Sequence, residues 1–308
     1  MAVKPLEDRA GMGVMMMVLA VILFTGIDTS AKWLSIAGLP VLEIVFLRYF
    51  VHFLLAMLIY IPQDGLSIFR SNAPQKQFLR SIFLFLSTVF NFWALKYLPI
   101  TVTTTIAFAG PIVTTLLAIP ILGEKVGIHR IIAVCVGFFG VVLVIQPWSA
   151  TFHPAMMLSL GNLIIVSGYF IMTRMIAGIE SNATQQIWGS GVASIALAPF
   201  ALYVWVWPEN LHQWIIVLAI GCFGAFGHMA STKAHRLADA SILAPMFYTQ
   251  VFWAAVVGVL IFDTWPTVWT LSGGMVIICS GIYIWHRERR KRKHPLPPTP
   301  ETQPEAQN

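Results

Sequence analysis

The stretch "ALKYLPITVTTTIAFAGP", residues 94–111, lies over "AHRLADASILAPMFYTQV", residues 234–251, when the chain is slid on itself by 140 positions. Ala94 then meets Ala234, Lys96 meets Arg236 and Thr101 meets Ser241. A slide of 142 pairs Gly26 with Gly168 and Lys32 with Arg174, and one of 141 pairs Gly140 with Gly281. The match is weak residue by residue. What recurs is the order of elements, so the chain reads as one unit written twice.

The composition says what kind of unit. Of 308 residues, 57% are hydrophobic and 10% charged, against roughly 25% charged in a soluble domain. Apolar runs of about 20 residues match a hydrocarbon core about 30 Å thick, and a sliding window finds ten of them: 11–35, 40–62, 78–98, 101–122, 129–147, 155–176, 185–206, 213–233, 240–262 and 267–286. Five spans per copy is an odd number. The second copy therefore enters the membrane from the side opposite the first, and the expected fold is an all-α membrane protein of ten transmembrane helices arranged as two inverted five-helix repeats. The expected organisation is a cytoplasmic N-terminus at 1–10, a first repeat at 11–147, a second at 155–286 and a disordered, basic, Pro-rich cytoplasmic tail at 287–308. The first run is read as a retained helix because it is long, lacks a small-residue cleavage pattern and carries charges near its end.

Charge placement fixes the expected orientation. With the N-terminus inside, 16 of the 19 Lys and Arg residues fall in cytoplasmic segments, Lys32 and Lys96 lie outside and Arg48 lies within a span, as the positive-inside rule requires. Trp33, Trp93, Trp148, Trp205, Trp207, Trp214, Trp265 and Trp269 fall at the expected outer ends, where an amphipathic ring prefers the headgroup level. The net charge of +6 then reflects topology and an anionic leaflet rather than nucleic acid. Cys135, Cys222 and Cys279 all lie within spans, which favours burial over disulfides. No metal-ligand spacing, phosphate-binding loop or converging nucleophile and base is legible. No enzyme, metal or cofactor is expected. A membrane-embedded enzyme and a non-transporting assembly partner are thus the weaker classes: the second has no use for inverted halves. The sequence is compatible with a homo-oligomer but does not predict one.

The first hairpin carries charges that lipid penalises. A lone charge at mid-bilayer costs about 2.5 to 3.5 kcal/mol on insertion scales. Across a tight antiparallel hairpin, residues at equal depth have nearly constant index sums, which pairs Asp28 with Arg48 and, nearer the surface, Lys32 with Glu43. A hairpin lock explains such pairs; so does a solute or proton site facing a central cavity. The second copy favours the latter, because it places Phe170, Gln185 and Ser190 opposite Asp28, Glu43 and Arg48. The candidate substrate-binding residues are Arg48, Asp28, Asn91, Tyr248, Gln250 and Trp253, with Asp28 and His228 as candidates for proton coupling. Trp253 sits near the centre of the ninth span, where an interface belt does not apply, and with Tyr248 it could wall a site for a flat ring. Interhelical hydrogen bonds and packing are the alternative role for each of these. Pro111, Pro120 and Pro245 mark expected bends in the fourth and ninth spans, which correspond under the repeat.

The order of "LRYF" in the second span, "ALKYLPIT" before the fourth, "ILGEKVGIHR" after it and "VGFFGVVLVI" in the fifth resembles the EamA family of the drug/metabolite transporter superfamily, over residues 11 to 286. The resemblance implies secondary transport of a small organic metabolite across a bacterial inner membrane, by alternating access and without covalent chemistry. The implied partners are that solute and membrane lipids. The overall look resembles the riboflavin-carrier branch, so riboflavin uptake is the favoured expectation; export of amino acids or related metabolites, with Arg48 holding a carboxylate, and transport of an S-adenosylmethionine-type solute are the alternatives.

Overall fold

The computed structural model describes residues 9–122, 128–176, 178–238, 243 and 246–293. Among these no β-strand occurs. The helices are α1 (Ala10–Ile36), α2 (Val41–Asp64), α3 (Pro74–Tyr97), α4 (Ile100–Ala107), α5 (Gly110–Leu122), α6 (Ile128–Ile145), α7 (Met156–Met175), α8 (Asn182–Tyr203), α9 (Leu211–Leu237), α10 (Thr249–Phe262) and α11 (Val268–Lys293). Five segments are long and apolar enough to cross a membrane: Gly11–Ile36, Val41–Phe69, Pro74–Tyr97, Met156–Thr173 and Leu211–His235. Shorter apolar helices lie at Ile100–Thr114, Ile131–Ile145, Thr249–Phe262 and Val268–Ile284.

Local chemistry sets several helix starts. Pro74 opens α3 at a position whose backbone N–H would have no intrahelical partner. Ser181 caps α8 by accepting from Thr184 N, and Asn210 caps α9 by accepting from Gln213 N. At its far end α11 runs through the basic stretch to Lys293, beyond the expected end at His286, because Arg and Lys are good helix formers and their charge suits a helix C-terminus.

The fourth span is broken. A proline has no N–H for a helical bond and its ring conflicts with the carbonyl four residues back in a continuous helix, so an unbroken helix through Pro111 is disfavoured. The chain turns at Phe108–Ala109, where Ala109 N donates to Ile106 O at 3.0 Å, and restarts as α5. The helix continues through Pro120 to Leu122. Tyr248, 140 residues after Phe108, is likewise a turn, directly ahead of α10. The rings of these two equivalent residues meet edge to face, 5.3 Å apart at 88°. Pro245 lies outside the described residues.

Packing follows the repeat. Exchanging the halves turns α1 into α7, α2 into α8, α3 into α9, α4 and α5 into α10, and α6 into α11. The extensive α1–α9 interface has its counterpart in α3–α7, and α2–α9 has its counterpart in α3–α8; the α2–α8, α6–α11 and α4–α10 contacts map onto themselves. The chain is thus ten transmembrane helices in two inverted, interleaved five-helix repeats. Side chains repeat the pattern. A Cβ on Gly26 would lie 2.9 Å from the Phe223 ring, and one on Gly168 would lie 2.9 Å from the Phe83 ring. Gly26 and Gly168 are equivalent glycines, Phe83 and Phe223 equivalent rings, so each copy seats an aromatic of the other in the gap left by a missing side chain.

One expectation is overturned. The hairpin partners α1 and α2 touch little, since α1 lies chiefly along α9. Lys32 therefore does not reach Glu43. Its Nζ donates to Leu95 O at 3.1 Å and Leu98 O at 2.6 Å, carbonyls at the C-terminal end of α3 that have no helical donor and carry the negative end of its dipole. Glu43 Oε2 accepts from Val206 N at 2.9 Å, just past the end of α8. Lys32 closes the end of α3 and Glu43 holds a backbone N–H of the segment after α8, in preference to pairing with each other.

Candidate functional site

Between α1, α2, α3, α8 and α9 the apolar interior gives way to a chain of polar side chains. Arg48 and His52 are one turn apart on α2, and only 5% and 4% of their surfaces are exposed. Arg48 Nη1 donates to Thr88 Oγ1 on α3 at 3.3 Å, and the guanidinium lies 4.3 Å from the centre of the Tyr49 ring. The Tyr49 hydroxyl shares a 2.7 Å hydrogen bond with the same Thr88 and donates to Leu84 O at 3.2 Å. A planar cation held by one bond and one ring face is positioned while keeping donors to spare.

The carboxylate nearby is Asp28 on α1. Its Oδ1 accepts from Asn91 Nδ2 at 2.9 Å, and it lies within Coulombic range of Arg48. The expected direct pair is thus replaced by two charges of opposite sign, each held by a neutral partner on α3. Because α1 and α2 diverge, α3 fills the space between them and supplies both hydrogen bonds.

Deeper along α2, His52 Nε2 hydrogen bonds Gln186 Oε1 on α8 at 3.1 Å. The His228 ring on α9 stacks with the His52 ring, 5.8 Å between centres at 20°, and its other neighbour is Phe24 at 5.2 Å. Nearest the end where α3 begins, Arg80 donates through Nε to Thr173 Oγ1 at 2.9 Å and through Nη2 to the Tyr169 hydroxyl at 3.0 Å. A second layer at this end has Glu180 Oε1 accepting from Ser71 Oγ and Ala73 N at 2.6 and 2.8 Å.

Of the residues singled out in the sequence, Arg48, Asp28, Asn91 and His228 come together in this region. Tyr248 lies apart, its hydroxyl packed where α11 has Gly281, and Trp253 has its ring edge on Phe252 at 5.1 Å. Gln250 is half-buried on α10. Sequence reasoning passed over Tyr49, His52, Thr88, Gln186 and Gly224. The usable signal was spacing: Arg48 and His52, Gly224 and His228, and Phe24 and Asp28 are i,i+4 pairs that place each member on the face of its neighbour. Among the described residues, no group of three or more His, Cys, Asp or Glu could hold a metal ion.

Comparison with known proteins agrees with this architecture. An S-adenosylmethionine uptake transporter of Rickettsia prowazekii is 25% identical over 85% of this chain and 88% of its own length. A riboflavin transporter of Vibrio cholerae is 25% identical over 91% and 95%, and a pseudopaline exporter of Pseudomonas aeruginosa is 26% identical over 89% and 96%. A crystal structure superposes with a TM-score of 0.60 at 17% identity, covering 88% of this chain and 98% of that one, which speaks for the fold alone. The three named relatives are transporters of small metabolites, which speaks for a membrane transporter and against an enzyme. The profile of the EamA-like transporter family matches residues 11–146 and again 153–285, one match per repeat, and the chain belongs to that family.

Proposed function

We propose that this transporter takes up an amphoteric, amino-acid-bearing metabolite of the S-adenosylmethionine type, by alternating access across a bacterial inner membrane with both termini in the cytoplasm. The carrying observation is the pair of opposite charges that are close but not bonded to each other. Arg48 is held by Thr88 and Asp28 by Asn91, so both remain able to meet a solute carrying a carboxylate and a cationic centre. A solute that brings both charges satisfies both residues at once, and desolvated charge-assisted hydrogen bonds are worth more than neutral ones. The solute's ring meets α10, which packs against α1, through Trp253, with Gln250 on the same helix.

Riboflavin is the second reading, supported by the riboflavin transporters among the relatives and by the stacked His52 and His228 rings with the tilted Phe24 ring beside them. A flavin would use the rings and leave the charges idle. Purified protein in liposomes separates the two. The expected result is counterflow of labelled S-adenosylmethionine that excess riboflavin does not inhibit; riboflavin counterflow without movement of S-adenosylmethionine would install the second reading.

A further inference from the structure

Two nitrogens in the buried polar region have no hydrogen-bond partner: Arg48 Nε and His52 Nδ1. Leaving a buried donor or acceptor unmade costs the full desolvation of that group, so two such atoms beside one another favour a polar ligand that satisfies both. Both lie beside the same glycine. A Cβ built on the buried Gly224 would lie 3.6 Å from His52 Nδ1, 3.8 Å from Arg48 Nε and 4.0 Å from Arg48 Cγ. Glycine weakens a helix by about 1 kcal/mol relative to alanine, and here an alanine methyl would meet only ordinary contacts. What the glycine provides is room, and the walls of that room are two nitrogens.

The hydrogen-bond pattern constrains what can occupy it. Arg48 Nε carries a hydrogen under all physiological conditions. His52 is different: its Nε2 faces the acceptor Gln186 Oε1, so Nε2 holds the ring's hydrogen, and Nδ1 of the neutral ring is a bare lone pair. A carboxylate seated between Arg48 Nε and His52 Nδ1 would face a donor on one side and a lone pair on the other. It becomes favourable when Nδ1 gains a proton, and an imidazolium beside the Arg48 guanidinium in turn needs an anion between them. Each arrival requires the other.

The geometry points to a carboxylate notch: we propose that Arg48 Nε, His52 Nδ1 and the bare backbone of Gly224 bind the solute's carboxylate together with one proton, carried on His52 Nδ1, and release both on the opposite side. This rests on the amphoteric solute proposed above and names the atoms that receive its carboxylate and the residue that couples it to protons. The charged and titratable groups around His52 are Arg48 on its own helix and His228 on α9; Arg80 on α3 lies within range of His228 and Asp28 on α1 within range of Arg48, while α8 contributes the neutral Gln186. Asp28, held by Asn91, takes the solute's cationic end and leaves the proton to His52.

Proton counting tests this on the unaltered protein. Binding heats of S-adenosylmethionine and of its decarboxylated analogue, which lacks only the carboxylate, are measured at about pH 8 in buffers of different ionisation enthalpy, where a free imidazole is mostly neutral. The expected result is uptake of one proton with the first compound and none with the second. His52→Gln should abolish proton uptake, and Gly224→Ala, which fills the notch with a methyl, should narrow the preference for the carboxylate compound by at least about tenfold, as expected for a lost hydrogen bond to a charged group. Equal proton counts for the two compounds, or a preference untouched by Gly224→Ala, overturns the notch while leaving the solute reading standing. Binding of neither compound overturns the solute reading, and the notch with it.

Discussion

At the scale of single residues, buried charges are held here by neutral groups and helix ends rather than by one another. Removing Arg48 charge geometry with Arg48→Lys keeps the cation but loses the planar stack on Tyr49 and the fixed Nε donor. Solute affinity should fall roughly tenfold or more, with the amount of folded protein in the membrane close to wild type; equal loss of both would assign Arg48 to architecture. Lys32→Met leaves Leu95 O and Leu98 O without their donor. It should cost about 1 kcal/mol of stability, read as a lowered thermal midpoint, with half-saturation for the solute unchanged. Trp253→Ala should raise half-saturation several-fold, and an unchanged value would place that ring outside the solute's path. That the charges exist was legible in the sequence, because charge in an apolar run stands out. Their partners were not, since Asn91, Thr88 and the carbonyls of α3 are brought in by packing between helices distant in the chain, which index arithmetic along one hairpin does not contain.

Among helices, the governing fact is that neighbours in sequence are not the chief neighbours in space. The α1–α9 and α3–α7 interfaces are copies of one design, each closed by an aromatic ring over a glycine. Gly26→Val and Gly168→Val should therefore be equivalent lesions. Each forces a ring out of its seat and should cost about 1–3 kcal/mol, and the double variant should lose the sum, as for separate sites. Thermal unfolding of the three variants checks this, and a silent member of the pair would contradict the equivalence. Most span positions were readable to within a few residues from hydropathy alone. The fourth span was readable as bent but not as two helices meeting at Phe108–Ala109, because a proline marks where a helix is weakened and tertiary contacts, here the Tyr248 ring, decide how far it opens.

For the whole molecule, the inverted repeat supplies two nearly equivalent scaffolds, and function resides in the places where they differ. Gly26, Gly168, Phe83 and Phe223 obey the symmetry. Asp28, Arg48 and Arg80 break it: Phe170 and Ser190 stand opposite the first two, and Ile220 stands where Arg80 would recur. Symmetric packing lets inward-facing and outward-facing arrangements lie close in energy, while the polar path, present once, is the site we propose for the solute in both. The repeat was legible because glycines and turn residues keep their spacing when other side chains drift. The proposed site was not, because Gly224 and His52 are unremarkable residues until the fold sets them side by side.

The inversion itself is tested most directly at the two turns it relates, the α1–α2 turn at Gly38 and the α7–α8 turn at Ile179, both exposed. With the native cysteines removed, Gly38→Cys and Ile179→Cys are treated in intact cells with a membrane-impermeant thiol reagent. Gly38→Cys should react from outside and Ile179→Cys only after the cells are opened; reaction of both from the same face would contradict the inverted architecture on which the site, its solute and its mechanism depend.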